Sequence, residues 1–191
     1  MICMKKKKKS AGKLLDVGCG LRKISGAVGI DIKDADIIHD LDTFPYPIKS
    51  DSFENIYSRH CLEHLENFEG VMTEFHRITK KNGLIEIIVP FYSAPGAYYP
   101  CHKKFFNYNS FNIFTKDSRT LGWEYSNVKF MTESIRFNFY AKNIPNKYNP
   151  LKKILFFIPT VFANSFPNIY QRLFANIFPA YELDFVLRPV K

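Results

Sequence analysis

Apolar and polar positions along the chain fall into short strand-like runs divided by turn residues, with one clear helical stretch among them. Residues 13–17, 27–32 and 36–41 follow one another closely, each a brief run rich in Leu, Val or Ile, and 53–58 adds a fourth strand after a loop containing Pro45 and Pro47. Phe68, Val71, Met72, Phe75 and Ile78 then recur at helical spacing, which predicts a helix with Asn67 as its cap and Gly83 as its stop. Residues 84–89 are almost continuously apolar, as in a strand covered on both faces. Beyond Pro90 comes a long aromatic loop, FYSAPGAYYPCHKKFFNYNSF, of a length that usually serves function. A helix is expected over 110–121 and a strand over 134–139. In 181–187, Leu183, Phe185 and Leu187 share one face, opposite Glu182 and Asp184. The last two strands read as an antiparallel hairpin opened by an insertion over 141–180. Strands alternating with crossovers of this kind predict an α/β sheet.

The chain has 191 residues, which suits one domain over 11–191, with a disordered basic arm over 1–10. At 46% apolar and 24% charged the composition is globular, and no apolar run approaches the roughly 20 residues of a membrane span. The opening MICMKKKKKSAG lacks the apolar core of a secretory signal, and Cys3, Cys19, Cys61 and Cys101 form no CxxC pair. A cytoplasmic protein without a metal centre is the expectation. Net charge is +9, of which Lys5 to Lys9 supply five, so the basicity is partly local.

Candidate chemistry gathers at the strand ends. Leu14-Leu15-Asp16-Val17-Gly18-Cys19-Gly20 sets two glycines after a buried strand, where missing side chains admit a ligand to the backbone. Asp31 ends the second strand, where a carboxylate can accept hydrogen bonds from both hydroxyls of a ribose, and Asp40 closes the third. NAD is disfavoured, since Lys23 stands where G-x-G-x-x-G needs its last glycine. His60-Cys61-Leu62-Glu63-His64 fits the zinc-hydrolase pattern H-x-x-E-H, but its place after the fourth strand argues against that use.

Together LLDVGCG, VGIDI, DIIHDLDTFPYPIKSDSFENIYSRHCLEHL and FHRITKKNGLIEIIVP resemble class I S-adenosylmethionine-dependent methyltransferases, and HKKFFNYNSFNIF extends the likeness to the type 11 group. The resemblance implies a doubly wound, Rossmann-like, seven-stranded, mostly parallel sheet with an antiparallel last strand, in three α/β/α layers. It implies S-adenosylmethionine as cofactor. Asp16, Gly18, Cys19 and Gly20 would lie under its methionine portion, Asp31 on the ribose, Ile32 and Leu41 on either side of the adenine, and Asp40 on the adenine amine. Ser58 and His60 would border the sulfonium. One departure stands out: only residues 21–26 separate the glycine loop from the second strand, so the usual first crossover helix is expected to be missing or reduced to a turn.

Methyl transfer needs an aligned nucleophile, plus a base where the acceptor is protonated. His60 and His102 are the candidate bases, with Tyr92 and Tyr99 as orienting groups. Ser58-Arg59-His60-Cys61 differs from the Asn/Asp-Pro-Pro-aromatic sequence of enzymes that methylate an adenine amine, so base methylation is disfavoured. By analogy with similar proteins, the acceptor expected is an oxygen or nitrogen of a small molecule, or of a glycan or lipid-linked sugar. Weak contact with the inner membrane face would go with it. RNA methylation aided by the lysine arm, and a non-catalytic cofactor-binding partner module, are the alternatives.

Overall fold

The computed structural model describes residues 12–115, 125–140 and 154–191. The expected basic arm, and the start of the expected insertion, lie outside these residues. Seven strands form one sheet: β1 (Leu14–Val17), β2 (Val28–Asp31), β3 (Ile37–Ile38), β4 (Phe53–Arg59), β5 (Thr79–Pro90), β6 (Lys129–Asn138) and β7 (Glu182–Val190), in the order β3-β2-β1-β4-β5-β7-β6. The strands from β3 to β5 run parallel, and β7 lies antiparallel between β5 and β6. The order reverses beside β1, and in such sheets the crevice beyond the strands' carboxyl ends is where ligands bind.

Helix α1 (Phe68–Ile78) begins where expected: Asn67 accepts a hydrogen bond from the Gly70 N–H at 2.8 Å. It ends earlier than Gly83. Thr79 already pairs with Phe53 of β4, and residues 80–83 bulge out of register before pairing resumes between Leu84 and Asn55, with Lys80 ion-paired to Glu54 beside the bulge. Gly83 lies within β5, where a Cβ would sit 2.6 Å from the Glu54 carbonyl oxygen; the close approach of the strands excludes a side chain there. Of the helix expected over 110–121, the described part holds one 3₁₀ turn, Asn112–Phe114.

Leu15, Val17, Ile56, Ile85 and Ile87 share one core with Val71, Met72, Phe75 and Ile78 of α1. Phe106 and Phe111 of the aromatic loop and Phe114 of the turn after it surround Phe68, and Phe111 packs 4.5 Å from Phe185 between ring centres. On the opposite face, Asn55, Tyr57 and Glu86 are half-buried. The first crossover adds no helical layer there, because it holds only the 3₁₀ turn Gly20–Arg22. Helix α2 (Phe157–Ser165) guards the edge of β6: the Asn164 amide accepts from the Phe137 N–H at 2.9 Å and donates to its carbonyl at 3.0 Å.

Candidate methyl-donor cleft and its carboxylate-imidazole wall

The loop after β1 turns on two left-handed glycines, Gly18 (φ +68°) and Gly20 (φ +48°). Gly18 donates its N–H to the Ile30 carbonyl at 2.9 Å, and a Cβ on it would collide with Cys61 Sγ. Gly20 is different, since a Cβ there would meet nothing within 4 Å. The first glycine packs the loop down, and the second leaves its backbone open. Asp31, at the end of β2, accepts from the Gly20 N–H at 2.8 Å and from the Ile32 N–H at 2.7 Å. Each carboxylate oxygen keeps a lone pair for a further donor. Asp16 is buried and accepts from the Ile24 N–H at 2.7 Å, closing the short crossover from within. Burial raises the Asp16 pKa, against the opposing pull of that hydrogen bond and of Lys23. Thus Asp16, Gly18, Cys19, Gly20 and Asp31 come together in one loop cluster.

The remaining candidates lie around it. Ile32 is 65% exposed, whereas Leu41 is buried at 6% and its carbonyl accepts from the Tyr46 hydroxyl, so Leu41 offers little open surface. Asp40 is exposed and accepts from the Asp42 N–H at 3.0 Å. Ser58 is fully buried, in register with Val17 of β1 and Ile87 of β5. Cys61 is buried as well, and desolvation pushes its thiol pKa up to about 12, which makes it inert at neutral pH.

His60 follows β4 with φ +49°, a strained conformation for a histidine. Its Nδ1 lies 3.3 Å from Glu63 Oε1 and its Nε2 3.3 Å from Glu182 Oε2, and both carboxylate side chains are buried. Arg59 approaches the same Glu182 oxygen at 3.6 Å. Burial alone would lower the His60 pKa, but the two carboxylates outweigh it and hold the ring at about 9. At neutral pH His60 is an imidazolium, a donor rather than a base. Glu182 stands 122 residues away, and no local pattern could have paired it with His60.

His102 lies elsewhere. Its Nδ1 is 3.0 Å from the Ala97 carbonyl, and its ring meets that of His64 edge-on, with centres 4.7 Å apart. Tyr92 donates to the Gln171 carbonyl at 3.3 Å, and Tyr99, 62% exposed, meets the His102 ring edge-on. The H-x-x-E-H pattern does not close on a metal through His60 and His64. Leu62–His64 is a single 3₁₀ turn, His60 faces Glu63 and Glu182, and His64 faces Cys101 and His102.

Residues 3–140 match a family model described as a methyltransferase domain. No curated protein matches. Among solved structures, an S-adenosylmethionine-dependent methyltransferase from Archaeoglobus fulgidus is similar at 14% identity, covering 94% of this chain and 87% of that one, with a TM-score of 0.55. A Burkholderia thailandensis 1,6-didemethyltoxoflavin-N1-methyltransferase, bound to 1,6-didemethyltoxoflavin and S-adenosylhomocysteine, is similar at 10% identity, covering 94% and 72%, with a TM-score of 0.51. The chain spans about half the length of a Pyrococcus horikoshii protein it matches, covering 46% of this chain and 52% of that one at 22% identity and a TM-score of 0.38.

Proposed function

The chain belongs to the methyltransferase-domain family, and from that premise we propose that it moves a methyl group from S-adenosylmethionine to an oxygen, or a nitrogen, of a small-molecule or sugar acceptor, as a member of the type 11 group. The observation that carries the donor site is the open left-handed Gly20 hydrogen-bonded to Asp31. Asp31 would hold the ribose, the backbone of Gly18 to Gly20 would admit the methionine end over buried Asp16, and Ile32 would cover one face of the adenine. Asp40 and Leu41 flank the adenine end, and Ser58 and His60 the sulfonium end. The cofactor supplies a methyl on a positively charged sulfur. The protein's part is alignment, which alone is worth on the order of 7–11 kcal/mol of barrier. His60, charged and with both ring N–H groups facing Glu63 and Glu182, would hold those two carboxylates in place at the site's edge, and His102 is left as the base for a protonated acceptor.

An amphiphilic acceptor, such as a lipid-linked sugar, suits the surface beside the cleft. Ile154, Leu155, Phe157, Ile158, Leu173 and Ile177 are all more than 60% exposed. That helical segment is tied to the loop after β5, where Tyr108 N–H donates to Gln171 Oε1 at 2.8 Å and Ser93 Oγ to the Ala175 carbonyl at 2.8 Å. The apolar face and the acceptor side of the cleft are therefore one structural unit, poised for reversible contact with an inner membrane surface.

The test is transfer of labelled methyl from S-adenosylmethionine to lipid-linked glycans, soluble sugars and RNA in parallel. Label in the lipid-linked fraction is expected. Label in RNA alone overturns the acceptor assignment. With cofactor at about 100 times its dissociation constant, linkage adds about 2.7 kcal/mol to stability, a midpoint rise of several degrees that Asp31→Ala is expected to abolish. An unchanged rise in Asp31→Ala would remove Asp31 from the donor site.

A further inference from the structure

One cluster reaches beyond the methyl-transfer site and shares only His102 with it. His64, Cys101 and His102 each bring a ligand atom within 4.8 Å of the others'. They come from two loops: His64 closes the 3₁₀ turn after β4, and Cys101 and His102 lie in the aromatic loop after β5. The loops are locked together by the Glu63 carbonyl, which accepts from the N–H groups of Lys103 at 2.7 Å and Lys104 at 3.2 Å.

Each imidazole has one nitrogen held by a backbone carbonyl. His64 Nδ1 faces the Cys101 carbonyl at 3.2 Å, and His102 Nδ1 faces the Ala97 carbonyl at 3.0 Å. A carbonyl can only accept, so each Nδ1 carries its proton and each Nε2 is left as the nitrogen with a lone pair. Backbone acceptors on the far nitrogen are what fix the tautomer and ring orientation of metal-ligating histidines. Cys101 is exposed and free, unlike buried Cys19 and Cys61.

We infer that His64, Cys101 and His102 bind a divalent transition metal of the zinc class. Two imidazoles and a thiolate are ligands that suit zinc, and three protein ligands leave one tetrahedral position for water or an acceptor group. Binding replaces the thiol S–H by a sulfur–metal bond and releases the proton to solvent. A bound metal would also occupy the His102 lone pair, so His102 serves as ligand or as base, but not both at once.

The experiment is titration of the chelator-stripped full chain with Co²⁺ alone, followed by absorbance, which needs neither methyl donor nor acceptor. A failure here is thereby separate from a failure of the methyltransferase reading. The wild type is expected to bind one Co²⁺ with a thiolate-to-cobalt charge-transfer band and the visible bands of four-coordinate cobalt. Cys101→Ser is expected to lose the charge-transfer band. His64→Gln and His102→Gln should weaken binding by about tenfold or more. Cys3→Ser and Cys61→Ala should keep the full spectrum. Thermal midpoints measured without metal identify any variant that fails to fold, and Zn²⁺ should raise the midpoint of the wild type and not of Cys101→Ser. No cobalt binding by the wild type, or an unchanged band in Cys101→Ser, overturns the site.

Discussion

At the scale of single residues, His60 is the clearest case of environment deciding chemistry. Its pKa of about 9 lies above the ordinary 6.5, so the folded state holds a proton that the unfolded chain gives up earlier. The stability this contributes is fully present below pH 6.5 and fades as pH rises through about 9. Thermal midpoints from pH 6 to 10 should therefore fall more steeply in the wild type than in His60→Gln; equal slopes would show that the ring is not held charged. Gly18 and Gly20 make a second contrast. Both need positive φ, at about 1–2 kcal/mol for any other L-residue. Gly18→Ala adds a collision with Cys61 and should destabilise the fold well beyond that figure, whereas Gly20→Ala, facing open space, should cost little more than it. Urea unfolding of the two variants measures the difference, and equal losses would mean that the loop yields at Gly18.

Between elements, the Arg77–Glu74 pair of α1 reaches out to hold the 41–52 loop against that helix. Arg77 donates to both Glu74 carboxylate oxygens, at 2.8 and 2.6 Å, and to the carbonyls of Ile48 and Tyr46, while Glu74 also accepts from the Tyr46 N–H. Glu74 is 5% exposed, and each hydrogen bond to a charged group of this kind is worth about 1.5–3 kcal/mol. Arg77→Lys, which keeps the charge and loses the fork, should lower unfolding free energy within that range, and a loss under about 0.5 kcal/mol would count against the staple. Elements that carry their own signal were legible from the chain. The periodic apolar face and Asn67 fix α1, the glycine loop follows β1, and six residues between that loop and the next strand leave room for one turn. Elements set by their neighbours were not. Residues 79–83 join β5 because Thr79 pairs with Phe53 on the far side of a bulge, and the strand predicted over 36–41 shortens to Ile37–Ile38 because only those residues are in register with β2. Likewise the glycines and Asp31 announce a ligand loop by spacing, while the partners of His60 and the meeting of His64 with Cys101 and His102 depend on contacts between distant segments.

For the whole molecule, the decisive feature is an asymmetry of surface. Among the described residues no helix is long and apolar enough to cross a membrane, yet Ile154, Leu155, Phe157 and Ile158 stand 65–75% exposed at one end of α2 and just before it. Scattered apolar residues are ordinary on a protein surface, but large neighbouring ones mark a contact face. The proposed membrane contact would have charge on its side as well, since 27 basic side chains stand against 18 acidic ones. Binding should draw on both sources: apolar insertion, which salt leaves largely intact, and charge attraction, which salt screens. The full chain should co-sediment with vesicles containing phosphatidylglycerol and less with vesicles of phosphatidylcholine alone. Phe157→Asp with Ile158→Asp should cut the bound fraction severalfold at every salt concentration, because charged carboxylates cannot enter the headgroup boundary and also repel anionic lipid. A double variant that binds as the wild type does would leave charge as the whole attraction. A wild type that ignores vesicles but sediments as a dimer, turning monomeric in the double variant, would give the face to a second copy of the chain, and the lipid-linked acceptor would lose its support.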